Sequence, residues 1–138
     1  MNFFKMAALA ALVVSGSALA GFQHNYDENS TLKIYQQGGG NNVTALQADA
    51  RDSTTDIKQY GGGNGADVGQ GSDDSKITLL QDGFANNATI DQWNGDDSKI
   101  NVKQHGGGNG AVVDQTASSS SVQVTQVGFG NHVMASQY

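Results

Sequence analysis

The chain has 138 residues, enough for one domain, with 19 glycines, no proline and no cysteine. Its 13 acidic against 7 basic side chains give a formal net charge of −6, which argues against a nucleic-acid binder, since phosphates demand Lys and Arg, and against charge-driven adsorption to anionic lipid. Without cysteine the fold is not disulfide-stapled, as small secreted domains often are, and without proline every backbone amide can donate to a ladder.

The first element reads as a secretory leader over residues 1–20. Lys5 supplies the positive charge, Met6–Val14 is apolar, and Ala18-Leu19-Ala20 is a small-x-small cleavage site. The apolar run is too short for a membrane anchor, which needs about 20 residues. Cleavage after Ala20 leaves a short N-terminal segment, Gly21–Asn29.

Five copies of one pattern follow: Ser30–Gln47, Ser53–Gln70, Ser75–Gln92, Ser98–Gln115 and Ser120–Gln137. Their start-to-start spacing alternates 23, 22, 23, 22. A repeat of this length across a whole chain means a stack of like units with two open ends.

Within each copy the first half alternates apolar and polar residues, as a strand with one buried face does. The expected core from these halves is Leu32, Ile34, Ile57, Ile77, Leu79, Ile100, Val102, Val122 and Val124. The second halves alternate in the same way and add Val68, Ile90 and Val113. Glycine-rich runs such as Gly38–Gly40 and Gly61–Gly63 separate the halves and suit tight bends with positive φ. The second turn has four or five residues and carries the alternation in spacing, as in Ala48–Asp52 and Gly71–Asp74.

The expected fold is all-β: a β-solenoid of five strand–turn–strand rungs stacked about 4.8 Å apart, which becomes cross-β on assembly. An antiparallel meander is the alternative, but near-constant spacing favours equivalent residues stacking on themselves. Glutamines at ten matched positions (Gln36, Gln47, Gln59, Gln70, Gln81, Gln92, Gln104, Gln115, Gln126 and Gln137) would then form amide ladders. Each rung buries only about four small-to-medium apolar side chains, at about 1.5–3 kcal/mol for a Val, Leu or Ile. End rungs also lack half their ladder partners. The free monomer is therefore expected to be largely disordered, and assembly to be nucleated and templated.

Acidic residues are absent from the first and fifth copies and concentrated between them. Asp52, Asp67, Asp74, Asp82, Asp91 and Asp97 read as gatekeepers that slow aggregation. Asp52, Asp74 and Asp97 fall in one column, each just before a repeat's serine. Such a column repels itself, and neutralising it is expected to speed growth in low salt.

The frames Gln59-Tyr60-Gly61-Gly62-Gly63-Asn64-Gly65-Ala66-Asp67-Val68-Gly69-Gln70 and Val122-Gln123-Val124-Thr125-Gln126-Val127-Gly128-Phe129-Gly130-Asn131 resemble the curlin-repeat family. Gly16-Ser17-Ala18-Leu19-Ala20-Gly21 is similar as well. Members of that family are subunits of curli, the functional amyloid fibres of enteric biofilms. The resemblance implies export through a dedicated outer-membrane pore with accessory chaperones, nucleation by a minor curli subunit, and a fibre built of the chain itself. It implies seeding roles for the end-repeat positions Ser30, Gln36, Asn41, Gln47, Ser120, Gln126, Asn131 and Gln137. Three features depart from the family pattern. The stretch Gly21–Asn29 is short, Ala85 replaces a turn glycine, and Thr55 replaces a core apolar residue. The two substitutions are expected to weaken middle rungs slightly.

Rival readings are a soluble secreted β-solenoid that binds calcium, ice or a glycan. Gly62-Gly63-Asn64-Gly65-Ala66-Asp67 matches half of a calcium β-roll repeat, but only once, and the fourth copy has Val112 where Asp would be needed. An ice- or glycan-binding face needs a uniform outward array, whereas one outward level runs Thr31, Thr54, Lys76, Lys99, Ser121. His24, His105 and His132 occupy unrelated positions in the repeat and suggest no catalytic set. No cofactor, metal or nucleic acid is expected, and host matrix proteins are possible partners. Trp93, Phe84 and Phe129 read as turn packing or exposed aromatics.

Overall fold

A computed structural model of the chain describes residues 9–13, 17–20, 29–48 and 50–138. Lys5, the segment 21–28 and Asp49 lie outside the described residues. The strands are β1 (Leu9–Val13), β2 (Ser17–Ala20), β3 (Thr31–Gly39), β4 (Asn42–Gln47), β5 (Thr54–Gly62) and β6 (Gly65–Gly71). They continue with β7 (Lys76–Phe84), β8 (Asn87–Trp93), β9 (Lys99–Gly107), β10 (Gly110–Gln115), β11 (Ser121–Phe129) and β12 (His132–Gln137). Among the described residues there is no helix.

Odd-numbered strands form one sheet in the order β1-β3-β5-β7-β9-β11, and even-numbered strands form a second, β2-β4-β6-β8-β10-β12. Every pairing is parallel and joins a strand to its equivalent one repeat away, as when Ile57 pairs with Leu79 and Gln59 with Gln81. The architecture is the expected β-solenoid, and the meander is excluded. Period-2 alternation is what allows it: Leu32, Ile34, Ile57, Ile77, Leu79, Ile100, Val102 and Val124 from the first sheet pack against Val68, Ile90 and Val113 from the second. Val122 differs from that expectation. It is only half-buried, because β11 is an edge with no rung beyond it.

The bend between the halves depends on glycine at one column in particular. Gly38, Gly61, Gly83, Gly106 and Gly128 all have φ between 98° and 128°. A Cβ at Gly61 or Gly83 would overlap the carbonyl oxygen of the next rung's glycine. Two rungs meet there backbone on backbone. Ala85 takes the left-handed conformation at φ 54° that Gly40, Gly63, Gly108 and Gly130 adopt in the other rungs, at a cost of about 1 kcal/mol or slightly more. Thr55 is buried and its hydroxyl donates to Gln70 Oε1 at 2.6 Å, so the polar atom is satisfied across the core.

Residues 9–13 and 17–20, within the segment expected to be a leader, are strands here. β1 pairs with β3 and β2 with β4, adding one partial rung below the first repeat.

Candidate assembly interface

The inward amides of each sheet form a continuous ladder. On the first sheet the Nε2 group of Gln36 donates to Gln59 at 2.7 Å, Gln59 to Gln81 at 2.7 Å, Gln81 to Gln104 at 2.9 Å and Gln104 to Gln126 at 2.9 Å. On the second, Gln47, Gln70, Gln92 and Gln115 each donate to the next, ending on Gln137 at 2.9 Å. Gln59, Gln81, Gln104 and Gln126 also donate to a backbone carbonyl of the opposite sheet, which ties the two sheets together. All but Gln137 are buried. An orphaned amide there would cost about 1–3 kcal/mol, so the ladder is an obligation as well as a bond.

The asparagines at the glycine turn run the other way. Asn64 donates to Asn41 at 3.1 Å, Asn86 to Asn64 at 3.1 Å, Asn109 to Asn86 at 2.9 Å and Asn131 to Asn109 at 2.9 Å. Serines bind the opposite turn: Ser53 Oγ accepts from the Ser75 amide and Ser75 Oγ from the Ser98 amide, both at 3.1 Å, while Ser30 Oγ donates to the Ala50 carbonyl. Glutamine side chains therefore donate to one another toward the fifth repeat and asparagine side chains to one another toward the first, while Asn41, Asn64, Asn86 and Asn109 each also donate to a glycine carbonyl one rung toward the fifth. Two copies meeting by like ends would oppose donor to donor, whereas head-to-tail stacking continues every ladder.

The end-repeat residues lie in the first rung, which β1 and β2 flank, and in the fifth, which has no rung beyond it. Ser30, Gln36, Asn41 and Gln47 are buried in the first rung; in the fifth, Gln126 is buried, Ser120 and Gln137 are half-buried and Asn131 is exposed. The Oε1 atoms of Gln126 and Gln137 already accept from the rung below, and Gln126 Nε2 donates one N–H to the Gly110 carbonyl, which leaves its second N–H for a further rung.

The aspartates divide into three settings. Asp52, Asp74 and Asp97 stack in one column, but each also holds a left-handed turn at φ 50–54°, a conformation that Asn29 and Ser119 share at the same level. Asp and Asn tolerate that region better than most residues, so this column has a conformational role that the charge pattern did not disclose. Asp82 lies 3.5 Å from His105, its register partner. Asp67 and Asp91 project from the outer face of the second sheet. Among the described residues no group of three His, Asp or Glu converges on a metal position.

Two aromatic arrangements were not legible beforehand. The Trp93 indole lies over Gly69 and Gly71 of the rung below, where a Cβ would collide with it. Phe84 and Phe129, two rungs apart, reach each other across Gly107 with ring centroids 6.0 Å apart. Only the rung-to-rung register reveals which glycine each ring needs.

A parallel two-sheet solenoid with unbroken internal amide ladders and an uncovered fifth rung is the architecture of a stacking repeat protein. The chain belongs to the Curlin associated repeat family, whose pattern matches residues 28–61, 72–106 and 95–128. It is 58% identical over 86 residues to the major curlin subunit of Salmonella typhimurium, covering 53% of this chain and 57% of that protein. It is 61% identical over 88 residues to the major curlin subunit of Escherichia coli strain K12, covering 54% and 58%. The chain thus spans somewhat over half the length of the curated relatives it matches.

Proposed function

We propose that the chain is a structural subunit of an extracellular curli amyloid fibre and not an enzyme. It would self-assemble head to tail, with the fifth rung of one copy seated on the first rung of the next. The observation that carries this reading is the set of glutamine ladders that run without interruption through all five repeats and end on Gln126 and Gln137, in a fifth rung with no rung beyond it. Leader removal would strip β1 and β2 from β3 and β4 and open the first rung. Disorder of the monomer before docking, nucleation by a minor curli subunit, passage through the periplasm and an outer-membrane pore with chaperones, and support of biofilm, adhesion and colonisation complete the proposal.

The test is a seeded assembly reaction followed by fibre diffraction. Growth should show a lag that preformed seeds abolish, and oriented fibres should give a meridional reflection near the roughly 4.7–4.8 Å rung spacing. A chain that stays a soluble compact solenoid at all concentrations, with no such reflection, would refute it and favour the soluble binding module.

A further inference from the structure

The two outer faces of the solenoid carry opposite charge. On the first sheet the outward residues include Lys33, Lys58, Lys76, Lys99 and Lys103 against only Asp56 and Asp82. Both acids are engaged, Asp56 with Lys58 at 3.1 Å and Asp82 with His105. On the second sheet the outward residues include Asp67, Asp91 and Asp114 and no Lys or Arg. Among the described residues, no ion pair holds Lys33, Lys76, Lys99, Lys103, Asp67, Asp91 or Asp114.

The charges are also matched in position. Lys76 and Lys99 are register partners on the third and fourth rungs, and Asp91 and Asp114 are register partners on the same two rungs. Each pair stacks like charges one rung apart, which is unfavourable in the isolated molecule. Both pairs lie toward the serine-turn side. Lys76 and Lys99 open their strands, whereas Asp91 and Asp114 immediately precede the ladder residues Gln92 and Gln115. The Thr55–Gln70 bond shows that the start of a first strand lies opposite the end of a second strand. Shifting a copy sideways by one solenoid thickness therefore brings its Lys76 and Lys99 over Asp91 and Asp114 of its neighbour, with no axial offset.

We propose that the lysine face of one filament docks on the aspartate face of a second, parallel filament of this same chain, so that fibres bundle side by side in one polarity. This rests on the fibre reading above. A single exposed ion pair contributes about 0–1 kcal/mol, but the match recurs in every subunit, and linked contacts multiply. The serine-turn edge, with Asp73, Asp74, Asp96 and Asp97 against Arg51, offers no comparable match to the aspartate face.

The test grows filaments of the purified chain and measures bundling by electron microscopy and low-speed sedimentation at about 0.01 M and about 1 M salt, where the Debye length falls from roughly 30 to 3 Å. Bundling should fall several-fold at high salt while filaments persist. Lys76→Glu/Lys99→Glu filaments and Asp91→Lys/Asp114→Lys filaments should each stay dispersed, and mixing the two should restore bundles. Salt-independent bundling, wild-type bundling by either charge variant, or no rescue on mixing would overturn the docking. Dispersal by the lysine variant alone would mean that the partner of that face is not the aspartate face. Should a charge-reversed pair fail to fibrillise, the neutral Lys76→Gln/Lys99→Gln filaments must still bundle several-fold less than wild type. Absence of any filament in the wild type would refute the fibre reading instead.

Discussion

The middle rungs and the fifth rung are built from the same pattern yet differ in closure. Ile57, Ile77, Leu79, Ile90 and Val102 have no measurable exposure. In the fifth rung the inward-facing Val122, Val133 and Ala135 are only half-buried. Val122 is of the same type as the buried Val102, and Val133 is larger than its buried register partner Ala111, so composition does not explain the contrast. What the fifth rung lacks is a rung above it. Burial here is a property of position in a stack, and a rung has its full core only with a rung on each side.

The sharpest way to break that comparison uses the glycine column. Gly83→Ala places a methyl on the Gly106 carbonyl at a φ of 128°, and a loss of about 4 kcal/mol or more is expected. β-sheet circular dichroism and hydrogen exchange should show the middle rungs unformed. Gly128→Ala meets nothing closer than Asn131 Nδ2 at 3.6 Å. It should carry only the left-handed penalty of about 1–2 kcal/mol within the molecule, yet stall fibre elongation, because the methyl occupies the next copy's path.

A smaller effect is expected from the amides. Gln104→Leu removes the partners of the Gln81 donor, the Gln126 acceptor and the Asn87 carbonyl, while Gln126→Leu removes those of the Gln104 donor and the Gly110 carbonyl within one molecule. At about 1–3 kcal/mol per lost partner, the first should lower hydrogen-exchange protection of the rungs within one molecule more. The second should chiefly slow seeded growth. Equal effects on both readouts would erase the distinction between interior and end.

Ala85→Gly relieves the left-handed alanine and should stabilise the third rung by about 1 kcal/mol, read as a higher denaturant midpoint with unchanged seeding. Smallest of all is Thr55→Val. It forfeits the Thr55–Gln70 bond while Gln70 Oε1 keeps the donor from Gln47, and the midpoint should move by less than about 1 kcal/mol.

Register was readable without coordinates because it is spelled in residues that must match themselves. Serine, glutamine and asparagine at fixed spacing tolerate no slip, and all ten ladder glutamines occupy the expected columns. The core was readable for the same reason, apart from Val122, whose exposure depends on a neighbour beyond the chain. The charge pattern of Asp52, Asp74 and Asp97 disclosed a column but not its backbone conformation, although Asn29 and Ser119 at the same level held the clue. Aromatic placement was beyond reach, since the glycines under Trp93 lie a whole rung away in sequence. The segregation of lysine from aspartate was present in the strand alternation, but it acquires meaning only once the two sheets are known to face opposite ways.

The lone tryptophan has an experimental consequence. Its indole rests on the second rung while belonging to the third, so its emission should shift when those two turns of a single chain come together. The fifth rung, where the proposed fibre would grow, lies two rungs farther along. Intrinsic fluorescence would therefore report internal ordering of each newly captured molecule, and comparing its time course with light scattering would separate a chain that lands and then winds up from one that arrives already wound.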